Sequence, residues 1–288
     1  MQLPFFQSVL SACTGSASKV KHVESVSGGC INQAVKLCTT TGDFFLKWNP
    51  LPGSSDLFEK EKLGLGILDK SPLSTPMVIG SGSENDVAYL LLEWIEPYER
   101  SKTYWENFGQ YLALQHRITS SHYGLDHPNH IGRLSQINDR TEDWVQFFID
   151  CRLAPQLQLA YQNQLIDTQF LSKFRRLYPQ LPHLIFADTP SLLHGDLWSG
   201  NCMAGGGGKP YIFDPAVYFG HREMELAFTL LFGGFDPLFY QSYAAEWPLE
   251  NGFDERAEIY HLYPLLVHAN LFGASYLSGI YQILKKYI

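Results

Sequence analysis

The chain has 288 residues, is 45% hydrophobic and 14% aromatic, and carries a formal net charge of −8. That length and apolar content suit a large buried core and exclude a disordered chain. The acidic balance argues against nucleic acid as the main partner, because phosphate neutralisation requires clustered Lys and Arg, yet it leaves room for a nucleotide held by one Lys, backbone N–H groups and a metal ion. No apolar run reaches the roughly 18 residues of a membrane span, and the opening residues 1–15 lack the basic and apolar regions of a secretory leader. The five cysteines, Cys13, Cys30, Cys38, Cys151 and Cys202, form no C-x-x-C pair, so a reducing cytoplasm is the expected location.

In chain order, 20–26 and 31–37 read as strands around Ser27-Gly-Gly-Cys30, and 44–48 reads as a third strand after the turn 40–43. A helix is expected from Asp56 to about Asp69, with Glu59 placed to complete a capping box. Strands at 78–80 and 87–93 follow, and Pro97 breaks the pattern. Beyond it helices are expected over 103–119, with Thr103 and Glu106 as a second capping box, and over 141–162, 167–177 and 222–232, and through much of 254–287. The fold class expected is α+β and bilobal: a small β-rich N-lobe over 1–95, a hinge near Trp94–Pro97, and a mainly helical C-lobe over 96–288.

The octad His194-Gly-Asp-Leu-Trp-Ser-Gly-Asn201 carries most of the chemistry. It sets a carboxylate, Asp196, five residues before a carboxamide, Asn201, and a second carboxylate, Asp214, follows in the apolar run 211–215. Protein kinases use this grammar, in which the first Asp faces the acceptor hydroxyl and the Asn and second Asp hold magnesium. A polar turn capping its own backbone would explain one such Asp, but not the whole string. Two carboxylates beside a triphosphate repel it unless a hard, oxygen-seeking cation lies between them.

Lys47 shares a strand face with Phe45 and so points inward; alone it reads as a snorkelling lysine, and a partner carboxylate changes that reading. On the following helix Leu57, Glu61, Leu65 and Leu68 share one stripe, so Glu61, not Glu59, is the expected partner. Gly28 and Gly29 fit either a hairpin turn or a loop over phosphates. The four glycines 205–208 read as a plain turn. Trp198 could stack on a sugar or wedge the loop. His194 and Glu225 read as backbone-holding groups, and His116 as a packing or hydrogen-bonding residue. Absence of H-E-x-x-H and G-x-S-x-G leaves zinc and serine hydrolases without support.

The strings LLHGDLWSGN, YIFDPAVYFGHREMELA and LFGGF, with FFLKWN, SSDLFEKE and SGGCINQA upstream, resemble the fructosamine-3-kinase and ketosamine-3-kinase family from about residue 20 to 275. The resemblance implies a protein-kinase-like fold, ATP and Mg²⁺ as cofactors, and phosphorylation of the sugar 3-hydroxyl of ketosamines, free or on protein lysines, by a monomer or homodimer. It implies Asp196 as catalytic base, Asn201 and Asp214 as metal ligands, Lys47 and Glu61 as the phosphate-binding pair, and Gly28 and Gly29 over the phosphates. Glu93, Trp94 and Ile95 would flank adenine, Trp198 would shape the substrate side, and Cys30 could act as a redox switch. The rival readings are an aminoglycoside- or choline-type kinase and a non-catalytic pseudokinase.

Overall fold

The computed structural model describes residues 3–26 and 32–288. It begins with α1 (Leu3–Thr14), then β1 (Val20–Ser25), β2 (Gln33–Thr39), β3 (Asp43–Asn49), α2 (Ser54–Leu68), β4 (Val78–Glu84) and β5 (Val87–Glu93). These strands form one antiparallel sheet in the order β1-β2-β3-β5-β4. Period-two alternation sends each strand's side chains to both faces of the sheet. Val35, Leu37, Leu46, Trp48, Tyr89 and Leu91 pack with Phe5, Phe6, Val9 and Leu10 of α1. Ala88, Leu90, Leu92 and Phe45 pack on the other side with Phe58 and Leu65 of α2. The sheet therefore lies between two helices, and Lys47 stands on the α2 side.

Helical starts differ from expectation in two places. Gly53, at φ 85°, lets α2 begin at Ser54, ahead of Asp56, so the Asp56–Glu59 capping box does not form; Glu59 hydrogen-bonds Ser81 and Lys62 instead. The next helix, α3 (Lys102–His116), is capped by Ser101, whose hydroxyl accepts the Tyr104 N–H at 3.3 Å, so Thr103 is already inside it.

Beyond α3 come the hairpin β6 (Asn129–Ile131) and β7 (Leu134–Gln136), α4 (Trp144–Phe147), a π-helical turn (Phe148–Leu153) and α5 (Ala154–Gln162). Then follow α6 (Thr168–Leu177), α7 (Leu181–Leu184), four short strands β8 (Ser191–Leu193), β9 (Cys202–Ala204), β10 (Pro210–Ile212) and β11 (Tyr218–Gly220), and α8 (Arg222–Leu231). The chain closes with α9 (Pro237–Glu246), α10 (Phe253–Tyr260), α11 (Leu262–Phe272) and α12 (Leu277–Tyr287). α1, α9 and the β6–β7 hairpin lie where no regular element was expected. The glycines 205–208 do link the antiparallel β9 and β10.

Leu68 and Leu73 join Tyr104, Phe108, Leu197 and Ile212 in one core cluster, and Ser74 bridges Tyr211. The connection after α2 thus leans on the helical part and fixes α2 over the loops that β8–β11 carry. No helix among the described residues is long and apolar enough to cross a membrane.

Candidate active site

A cleft of about 730 Å³ runs between the sheet and those loops, with Ala34, Phe45 and Lys47 on one wall and Asp196, Asn201 and Asp214 on the other. Lys47 pairs with Ala34 on β2 and Leu90 on β5 in the middle of the sheet, so its backbone is held from both sides. Its Nζ lies 2.8 Å from Glu61 Oε1 and forms a second ion pair with Asp214. Burial pulls the ammonium pKa down, but the Asp214 and Glu61 charges outweigh it and hold Lys47 protonated. Glu61 is buried as well, which pushes its carboxyl up against the pull of Lys47.

The octad His194–Asn201 starts at the end of β8. Glu225, buried in the first turn of α8, accepts the His194 N–H at 3.1 Å and the Gly195 N–H at 2.9 Å. The His194 ring Nε2 contacts the Phe213 carbonyl at 2.9 Å, so that nitrogen carries the proton, and Nδ1 accepts the Asp196 N–H at 3.3 Å. Burial lowers the His194 pKa and keeps the ring neutral. At Gly195, φ is +84° and a Cβ would stand 2.1 Å from the Ala216 carbonyl oxygen, so only glycine fits. The Ala216 N–H in turn donates to the His194 carbonyl at 2.8 Å. Two loops that are distant in sequence are thereby locked together.

This lock brings Asp196 and Asn201 beside Asp214. Asn201 Nδ2 donates to the Asp196 carbonyl at 2.8 Å and to its carboxylate at 3.1 Å. Its Oδ1 accepts no hydrogen bond among the described residues, and Asn201 lines the cleft. Asp214 adopts φ 58°, a left-handed backbone that costs about 1–3 kcal/mol for a residue with a Cβ. α2 packs directly over the following turn: a Cβ on Gly64 would lie 3.1 Å from Pro215 Cγ. Burial first, and then the Asp214 charge, push the Asp196 carboxyl up to about 8. The free Asn201 oxygen and the Asp214 carboxylate form an all-oxygen donor set, which fits a hard divalent cation.

Glu93, Trp94 and Ile95 line the far end of the same cleft. The Glu93 carboxylate accepts the Met77 N–H at 3.2 Å, and Trp94 Nε1 donates to Glu96 at 2.8 Å. The Ile95 N–H donates to nothing among the described residues. Trp198 also lines the cleft. Gly28, Gly29 and Cys30 lie outside the described residues.

Two supports were not apparent from the sequence. Arg100 donates to the Ser199 carbonyl at 2.8 Å and the Cys202 carbonyl at 2.6 Å, gripping the loop on either side of Asn201. Asn129 and Gln136 on the β6–β7 hairpin donate to the Val217 and Ala216 carbonyls at 2.7 and 3.0 Å, just after Asp214. A polar cluster after a helical stretch was the only signal for the second; the first had none.

A sheet lysine paired with a helix glutamate, above loops carrying Asp, Asn and Asp, defines a protein-kinase-like fold, and an aminoglycoside phosphotransferase shares it at TM-score 0.64 and 16% identity, over 98% of this chain and 95% of that one. The fructosamine kinase model matches residues 4–288, and the chain belongs to that family. It is 39% identical to a probable ketoamine kinase of Lactiplantibacillus plantarum over 270 residues, covering 93% of this chain and 95% of the relative. It is 38% identical over 281 residues to the chloroplastic protein-ribulosamine 3-kinase of Oryza sativa subsp. indica, covering 95% and 81%. A crystal structure of a candidate fructosamine-3-kinase from Haemophilus somnus superposes at TM-score 0.88 with 30% identity, covering 98% and 96%.

Proposed function

We propose that this chain transfers the γ-phosphoryl group of ATP to the sugar 3-hydroxyl of ketosamines, the ribulosamine and fructosamine adducts of amines and protein lysines. The observation that carries the proposal is the convergence of Lys47, Asp196, Asn201 and Asp214 on one cleft, in a chain whose relatives bear ketoamine and ribulosamine 3-kinase names.

Phosphoryl transfer asks a protein mainly for positioning and charge stabilisation. Residues 1–95 and 96–288 act as the two lobes that clamp the nucleotide. The Ile95 N–H and the Glu93 carbonyl face the adenine edge, with Trp94 between them. Lys47, oriented by Glu61, binds the phosphates, and Gly28 and Gly29 cover them. Asp196 orients the acceptor hydroxyl and takes its proton late in the transfer. Trp198 packs against the sugar. Asn201 and Asp214 hold Mg²⁺, which supplies charge neutralisation across the phosphates when bound.

The test is phosphate transfer from labelled ATP to synthetic ribulosamine and fructosamine, with choline and kanamycin as competing acceptors and NMR to read the phosphorylated position. Transfer to O3 of a ketosamine is expected. Transfer confined to choline or kanamycin, or no transfer to any acceptor, overturns the reading.

A further inference from the structure

Outside the cleft, among the described residues, one group of side chains brings nitrogen, oxygen and sulfur donors together. We propose that His22, Glu24 and Cys38 form a binding site for a borderline divalent cation of the Zn²⁺ class. The three donor atoms, an imidazole nitrogen, a carboxylate oxygen and a thiol sulfur, all lie within 4.8 Å of one another. His22 Nε2 is 2.7 Å from Glu24 Oε1, and Cys38 Sγ is 3.5 Å from the same oxygen. Tetrahedral zinc with ordinary bond lengths holds its donors about 3.5 Å apart, so small rotamer adjustments bring this triad onto one ion.

The arrangement follows from strand register. His22 and Glu24 are two residues apart on β1 and share a face, and Cys38 on β2 is the cross-strand partner of His22. A register shift between Val20 and His22 makes this stretch of the edge strand irregular, and bulges of that kind re-aim side chains. Cys38 is 8% exposed and forms the floor. The His22 and Glu24 side chains are 61% and 52% exposed, so water reaches the fourth coordination position. Lys36 is the neighbouring cation on this face, opposite Glu24. Its ammonium is drawn 3.0 Å from Asp43 and sits 4.7 Å from the centre of the Trp94 ring.

A thiolate and an imidazole select zinc-like ions over Mg²⁺, which prefers all-oxygen sets such as Asn201 with Asp214. The two sites are therefore separable by metal. An ion bound here ties β1 to β2.

The experiment is a Co²⁺ titration of the full chain under reducing conditions with Mg²⁺ in large excess. A thiolate-to-cobalt charge-transfer band should saturate at a single Co²⁺ per chain and vanish when Zn²⁺ is added. The band should be absent in Cys38→Ser. In His22→Ala and Glu24→Gln, exposed positions that leave the fold intact, affinity should fall at least about tenfold. Zn²⁺ should raise the Tm of the unaltered protein and not that of His22→Ala. A missing band, a band that survives in Cys38→Ser, or unchanged affinity in His22→Ala overturns the proposal. None of these readouts uses kinase activity, so the outcome is independent of the reaction proposed for the cleft.

Discussion

Glu61 accepts a hydrogen bond from Lys47 at 2.8 Å, while Glu59, two residues earlier, turns outward to Ser81. The pair is buried and shares its lysine with Asp214. Removing the cation leaves two carboxylates facing each other without compensation, and breaking a buried pair in that way costs about 3–5 kcal/mol. Lys47→Met should therefore lower unfolding free energy by about 3 kcal/mol in urea melts and reduce kcat/KM for ATP at least about a hundredfold. Glu61→Gln keeps the shape and loses the charge, so it should raise KM for ATP with a smaller effect on stability. Wild-type KM values in both variants would refute a role for the pair in nucleotide binding.

The Asp196 carboxyl titrates near 8 in the nucleotide-free protein because it is buried and close to the Asp214 charge. Its ordinary value is 3.8, so between those limits the folded state holds a proton that the unfolded state has released. Stability from this group is complete below about pH 4 and is lost as pH rises through about 8. Thermal melts without nucleotide or metal should show a falling contribution across that window, and Asp196→Asn should flatten it. The same variant should cut kcat by about 10²–10⁴ while ATP still binds. Parallel pH profiles for the variant and wild type would exclude Asp196 as the titrating group.

The parts of the site legible in the sequence are those made by short-range spacing. Asp196 and Asn201 sit in one tight loop, and the helical stripe separates Glu61 from Glu59 because both lie on one continuous α2. Helix starts were misread because a glycine at positive φ, Gly53, and a serine hydroxyl, Ser101, begin the helices earlier than the Asp56 and Thr103 patterns suggest. α1 escaped notice because it is a short helix whose Phe5, Phe6, Val9 and Leu10 gain their stabilisation from a sheet that follows in sequence. α9 carries the start signal Asp236-Pro237 but buries few residues along a clear stripe. The β6–β7 hairpin has three-residue strands and is held by amide side chains to carbonyls some 80 residues away, a relationship no local pattern encodes.

Glu225 is 2% exposed and uses both carboxylate oxygens on the His194 and Gly195 N–H groups, with His116 Nε2 3.3 Å away. Hydrogen bonds to a charged acceptor contribute about 1.5–3 kcal/mol each. Glu225→Ala leaves two buried N–H groups unpaired and should destabilise the protein by about 3 kcal/mol or more by urea denaturation. Glu225→Gln retains one acceptor oxygen and should lose about half of that. Activity should fall in both, since the loop bearing Asp196 loses its anchor. An unchanged denaturation midpoint in Glu225→Ala would show that the loop holds itself.

Arg100 grips the catalytic loop from the segment that leaves the cleft's far end, only five positions after Ile95. Its guanidinium reaches the Ser199 and Cys202 carbonyls, the residues bracketing Gly200 and Asn201, and lies near the Tyr104 and Trp105 rings at 6.0 and 5.7 Å. It touches neither Asp196 nor Asp214, so its effect is to position Asn201 and Trp198. Arg100→Ala should lower kcat at least about tenfold, equivalent to loss of one charge-assisted hydrogen bond, while KM for ATP stays within about twofold because the Lys47–Glu61 wall is untouched. Arg100→Lys supplies a point charge without the planar fork that spans two carbonyls, so it should recover only part of the loss. A general folding defect would instead lower Tm and the fraction of active enzyme without changing kcat per active site. Active-site titration alongside kcat therefore separates positioning from folding, and a kcat equal to that of the unaltered protein in Arg100→Ala would remove Arg100 from the catalytic support.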